Sequence, residues 1–185
     1  LSSAGAIQIL AGRVIKAGAL DMKAANGIYG STNAAALDIV TDAVQAKNTG
    51  AGPIRLANSG SNLSVGGASS YGIQQQGAGN VFLENAGGYT TTINKAVTTV
   101  GGNITIDGSG ALTLLSGVST AGGNVALTVA GNATSELGIF QSINAGGGNV
   151  ALISSGAVYG GTGTNDVTAG TLSITANGTS TRGAP

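Results

Sequence analysis

The chain has 185 residues, of which 34 are Gly and 29 Ala; 42% are hydrophobic but only 3% aromatic, with no Trp and two Phe. A thick globular core filled by large side chains is therefore excluded. Seven Lys+Arg offset seven Asp+Glu, and His and Cys are absent, which removes the basic footprint of a nucleic-acid binder, the commonest general base and metal ligand, and all disulfide or thiol chemistry.

Along the chain a short motif recurs, in which two apolar residues flank one that points the other way. It stands at Ile7-Gln8-Ile9, Leu20-Asp21-Met22, Leu37-Asp38-Ile39 and Ile54-Arg55-Leu56. It returns at Val81-Phe82-Leu83, Ile104-Thr105-Ile106, Val125-Ala126-Leu127, Val150-Ala151-Leu152 and Leu172-Ser173-Ile174. A period of two means strand, with the flanking residues on one face. A second strand follows at Leu63-Ser64-Val65, Leu112-Thr113-Leu114 and Val158-Tyr159, and a third apolar position, at Val97, Val118, Ile143 and Val167, precedes the next triplet. Three short strands per 21–25 residues describe a coil that winds round and stacks on itself. Helix is a poor alternative, because Gly is costly in every turn and the apolar period is not 3.6.

The triplets give one all-β unit over residues 1–185: a parallel β-helix of about eight to nine coils. Residues 1–56 read as short coils, 57–80 as an irregular coil with a loop, and 81–185 as longer coils opened by Gly-Asn. Those openings are Gly79-Asn80, Gly102-Asn103, Gly123-Asn124 and Gly148-Asn149. Gly supplies backbone angles that a Cβ forbids and Asn tolerates them. With coils ~4.8 Å apart, Asn80, Asn103, Asn124 and Asn149 are expected to form a structural column of amide hydrogen bonds.

Asp21, Asp38 and Arg55 hold the same place in triplets 17 residues apart. They are expected to form a charge column on the surface. Stacked at one coil spacing, Asp21 and Asp38 would also approach the ~5–5.5 Å separation of a retaining glycosidase pair, which keeps a carbohydrate-active enzyme open as a further reading. The other acids, Asp42, Glu84, Asp107, Glu136 and Asp166, show no evident partner. Gly160 to Asp166 approaches a Ca²⁺-binding GGxGxD turn with its Asp displaced by one residue, and is read as a plain loop. Sequons stand at Asn62, Asn103, Asn132 and Asn177. No cofactor or metal is expected.

The segments GGNITIDGSGALTLLSG, GGNVALTVAGN and GGNVALISSGAVYG resemble the repeats of filamentous-haemagglutinin-like exoproteins of the two-partner secretion system, and are similar to autotransporter passenger repeats. The resemblance implies a right-handed parallel β-helix, secreted or displayed at a bacterial cell surface and exported with the help of an outer-membrane transporter. The family's secretion-domain motifs, of NPNG and NPNL type, do not occur, so the chain is expected to be shaft from a longer adhesin. Other parts of that parent would then meet the host or neighbouring-cell surface or matrix. The alternative is the subunit of an extracellular filament or sheath, self-associating end to end through open β-helix edges. Neither nucleic-acid binding nor membrane insertion is expected, since no apolar run reaches the ~20 residues of a span.

Overall fold

The computed structural model describes residues 1–67, 70–161 and 167–178, and among them all regular structure is strand. The strands pair in parallel throughout and stack as a β-solenoid of about seven turns, with about three strands per coil. One wall is a ten-stranded sheet whose leading residues, Ile7, Ile28, Ile54, Val81, Ile104, Val125, Val150 and Leu172, lie in register one above another. The other walls form a thirteen-stranded sheet. In it the second strands of successive coils stack as Leu63–Val65, Thr91–Ile93, Leu112–Leu114, Leu137–Ile139 and Val158–Gly160. The third strands stack as Ile73–Gln75, Val97–Thr99, Val118–Thr120, Ile143–Asn144 and Val167–Thr168. The two stacks join through Ala43–Asn48, one six-residue strand that pairs with Leu63–Val65 by its first half and with Ile73–Gln75 by its second.

Two of the nine triplets do not open a coil. Leu20–Met22 pairs with Val44–Ala46 in the thirteen-stranded sheet, and Leu37–Ile39 pairs with Leu56–Asn58, further along the wall that Ile28 has already entered. The coils therefore advance by 21, 26, 27, 23, 21, 25 and 22 residues. Residues 1–56 hold no short coils, and eight to nine turns become about seven. The reason is parity. Every wall of a solenoid alternates inward and outward, so a triplet marks a wall without saying which one.

Seven rung spacings make a rod roughly 34 Å long at ~4.8 Å each. Its core is a set of parallel files of aliphatic side chains, contributed by all the walls. Ile28, Ile54, Leu56, Leu83, Ile104, Ile106 and Leu127 are fully buried, each lying on its equivalent in the next coil. Burying each contributes about 1.5–3 kcal/mol relative to exposure, and the narrow bore explains why the chain uses Ile, Leu and Val rather than aromatics. The last described rung, Thr171–Ala176, is exposed along its whole length. Leu172 and Ile174, inward by register, are 46% and 55% exposed, with no further coil over them among the described residues.

Coil openings divide the work between paired glycines. Gly101 and Gly122 take positive φ of 105° and 107°. The glycine after each keeps ordinary φ, and its constraint is space: a Cβ on Gly102 or Gly123 would stand 2.1 Å from the carbonyl oxygen of Gly79 or Gly102 on the preceding rung.

Candidate functional site

The solenoid presents its polar chemistry in three places: inside the turns, along the Gly-Asn edge, and on the outward faces of the walls. Asn80, Asn103, Asn124 and Asn149 do stack, one per coil, and all four are exposed. Their bonding differs from a side-chain amide ladder. The Oδ1 atoms of Asn80, Asn103 and Asn124 accept the backbone N–H of Asn103, Asn124 and Asn149 respectively, each at 2.8 Å. The side chain thus caps a strand-start N–H that the preceding loop leaves unpaired.

A second set of polar residues lies inside the solenoid, and sequence reasoning missed it. Asn58 is buried; its Oδ1 accepts the Thr41 N–H at 2.9 Å, and its Nδ2 donates to Asn85 Oδ1 at 3.0 Å and to the Ser61 carbonyl at 3.3 Å. Asn85 passes the chain on, donating to Thr91 Oγ1 and the Thr90 carbonyl. At another corner Asn48, Gln75, Thr99 and Thr120 stack in register. Asn48 Oδ1 accepts the Gly27 N–H at 2.7 Å and its Nδ2 donates to Gln75 Oε1 at 2.9 Å. Thr99 and Thr120 each accept the N–H of the close-packed glycine, Gly102 or Gly123, and donate to a carbonyl one coil back. Parity was the available signal. Ile54-x-Leu56-x-Asn58 and Val81-x-Leu83-x-Asn85 carry the inward face straight onto the amide.

The charge column of Asp21, Asp38 and Arg55 does not form. Asp21 pairs with Gln45 in the thirteen-stranded sheet, Asp38 with Ala57 and Arg55 with Phe82. The shift of Leu20–Met22 to another wall separates Asp21 from the rest, and the long second coil moves Asp38 two positions away from Arg55 along the strand. Arg55 instead lays its guanidinium over the Phe82 ring, 4.6 Å from the centroid, a cation–π contact. Asp38 shares a cleft of about 350 Å³ with Arg13 and Glu84, two rungs on. Glu84 in turn stands directly beside Asp107, so the one-rung acidic relation sought at Asp21 and Asp38 falls on two acids that the spacing had left unpartnered.

Asp21 is engaged elsewhere. The Tyr71 hydroxyl, fifty residues away in sequence, donates to its carboxylate. Lys23 Nζ lies 3.9 Å from the same carboxylate and 5.8 Å from the Tyr71 ring centroid. The segment around Tyr71, read as a loop, thus folds back onto the wall. Burial, the hydrogen bond to Asp21 and the charge of that carboxylate all push the Tyr71 hydroxyl well above the usual phenol range. Folded Tyr71 resists ionisation that the unfolded chain undergoes near pH ~10. Its contribution to stability is complete below that value and is lost as pH rises above it. Urea unfolding should therefore show a stability gap between wild type and Tyr71→Phe that shrinks from about pH 9 to about pH 11; a gap that stays constant would show that the hydroxyl does not titrate with folding.

Of the loop from Gly160 to Asp166, residues 162–166 lie outside the described residues. Compared with protein-family models, with curated proteins and with solved structures, the chain matches none.

Proposed function

We propose that this chain is a non-catalytic shaft segment of a bacterial surface exoprotein. Exported past an outer-membrane transporter, it would hold other parts of its parent away from the cell, toward a host or neighbouring surface or matrix. One observation supports this reading above others: two parallel sheets run the length of the described structure, and one wall keeps its register from Ile7 to Leu172. Such a rod resists bending, because each inner rung is bonded to the rung on either side and several corners are filled by buried amides and hydroxyls. The repeat segments that resemble filamentous-haemagglutinin-like exoproteins favour the same role.

Antibody raised against the 185-residue chain should label intact source cells without permeabilisation. Labelling that appears only after lysis would overturn a surface role. A second reading, in which rods stack end to end into a filament, draws on the exposure of Leu172 and Ile174 in the last described rung. Fibres formed by the purified chain under the electron microscope would select that reading, and a monodisperse monomer would select the shaft.

A further inference from the structure

Where the ten-stranded sheet turns into the thirteen-stranded one, an open groove of about 560 Å³ crosses three successive rungs. Asp42 lines it from the first rung, Asn62 and Ser64 from the second, and Tyr89, Thr92 and Asn94 from the third. Register fixes their order, since Ser64 pairs with Ala43, the residue after Asp42, on one side and with Thr92 on the other. We propose that this groove binds a neutral oligosaccharide.

Its chemistry is that of hydroxyl recognition. A sugar hydroxyl both donates and accepts, so its site must offer both capacities from side chains already held in place. Asn62 Oδ1 is committed to the Thr90 N–H at 2.9 Å, which fixes the side chain and leaves its NH₂ group to donate. Asn94 is committed the other way: its Nδ2 donates to Ser64 Oγ at 2.8 Å, leaving its carbonyl oxygen to accept. Asp42 is exposed and forms no ion pair among the described residues, so its two oxygens can each take a hydroxyl proton through the stronger, charge-assisted bond. Tyr89, 36% exposed, offers a ring for the C–H face of a pyranose and a hydroxyl at its rim.

Charge sets the class of sugar. No Lys or Arg lines the groove, and the Asp42 carboxylate repels uronates and sulfated sugars, so neutral glycans are favoured. Its extent also fits. Two rung spacings give roughly 9.6 Å, the reach of a short oligosaccharide, and the volume lies within the about 300–1,000 Å³ typical of small-ligand sites. The inference does not depend on the shaft reading, because a groove on a rod and a groove on any other β-solenoid bind alike.

Saturation-transfer NMR on the 185-residue chain tests it, with maltose, cellobiose, lactose, chitobiose and mannobiose as neutral probes and tri-galacturonate and a heparin disaccharide as anionic ones. Transfer is expected to at least one neutral probe and to neither anionic one, and the Asn62 and Asn94 side-chain amide signals should move as that probe is added. Tyr89→Ala and Asp42→Ala should each weaken binding roughly tenfold or more, the loss of one stacking or charge-assisted contact. Ser119→Ala, on the third wall, should leave it unchanged. No transfer to any neutral probe would overturn the proposal, as would equal binding of the anionic ones. Binding that survives both groove substitutions, or that leaves the two amide signals unmoved, would place the ligand elsewhere and overturn it too.

Discussion

Gly123→Ala is expected to destabilise the solenoid by about 3 kcal/mol or more, at the upper end of overpacking effects. A Cβ there would lie 2.1 Å from the Gly102 carbonyl oxygen, 2.6 Å from its carbon and 2.8 Å from Thr120 Oγ1. The first two belong to the backbone of the rung behind, which is fixed by its own parallel pairing, so no side chain can swing aside to make room. Moving the turn to relieve these contacts would also stretch the bond that the Thr120 hydroxyl accepts from the residue-123 N–H, at 3.1 Å in the native chain. Gly147→Ala is the matched control, since its Cβ would meet nothing within 4 Å and its φ is not in the left-handed region; it should be near neutral or slightly stabilising. Urea unfolding of the two variants checks the contrast, and hydrogen exchange should show loosening confined to the rungs that flank Gly123. Equal midpoints would mean that successive rungs can part to admit a methyl group at little cost.

Asn58→Leu should cost a similar amount, about 3 kcal/mol or more, by a different route. Leu is close to Asn in shape, but it leaves the Thr41 N–H and Asn85 Oδ1 without the partners that Asn58 supplies. Each buried group stranded in this way costs about 1–3 kcal/mol. Replacing Asn85 by Leu as well removes one of those stranded groups, so the double variant should lose less than the two single losses added together. Asn103→Leu provides the comparison at the surface. Its Oδ1 caps the Asn124 N–H at an exposed edge, where water can replace it, and a loss below about 1 kcal/mol is expected. Denaturant midpoints for the four variants test the ranking. A surface loss as large as the buried one would show that the outer Asn column, not the inner one, holds the coils together.

Much of the architecture is written in parity and punctuation. Alternation at Ile104-Thr105-Ile106 or Val125-Ala126-Leu127 identifies a strand whatever surrounds it. The recurrence of Val97, Val118 and Ile143 before successive triplets brings the third strands into register from spacing alone, as the structure places them. The Gly-Asn openings announce the turns, although close approach rather than unusual φ accounts for Gly102 and Gly123.

The candidate sites were far less legible, for a reason that Leu20–Met22 makes plain. Parity says in or out; it does not say which wall, and a change of wall carries an outward side chain to a different side of the rod. Asp21 therefore meets Tyr71 and not Asp38, while Glu84 meets Asp107. The groove of Asp42, Asn62 and Tyr89 gathers residues from three coils whose lengths differ, so no fixed spacing could have joined them.

By itself, then, the sequence determined a parallel stack of short strands around an aliphatic core, because alternation and small turn residues are local properties that each coil repeats. Only the tertiary structure decided the number of turns, the wall to which each triplet belongs, and the company that each charge and amide keeps. Those depend on how many residues every loop spends between walls, and that sum is closed only when one rung hydrogen-bonds to the next.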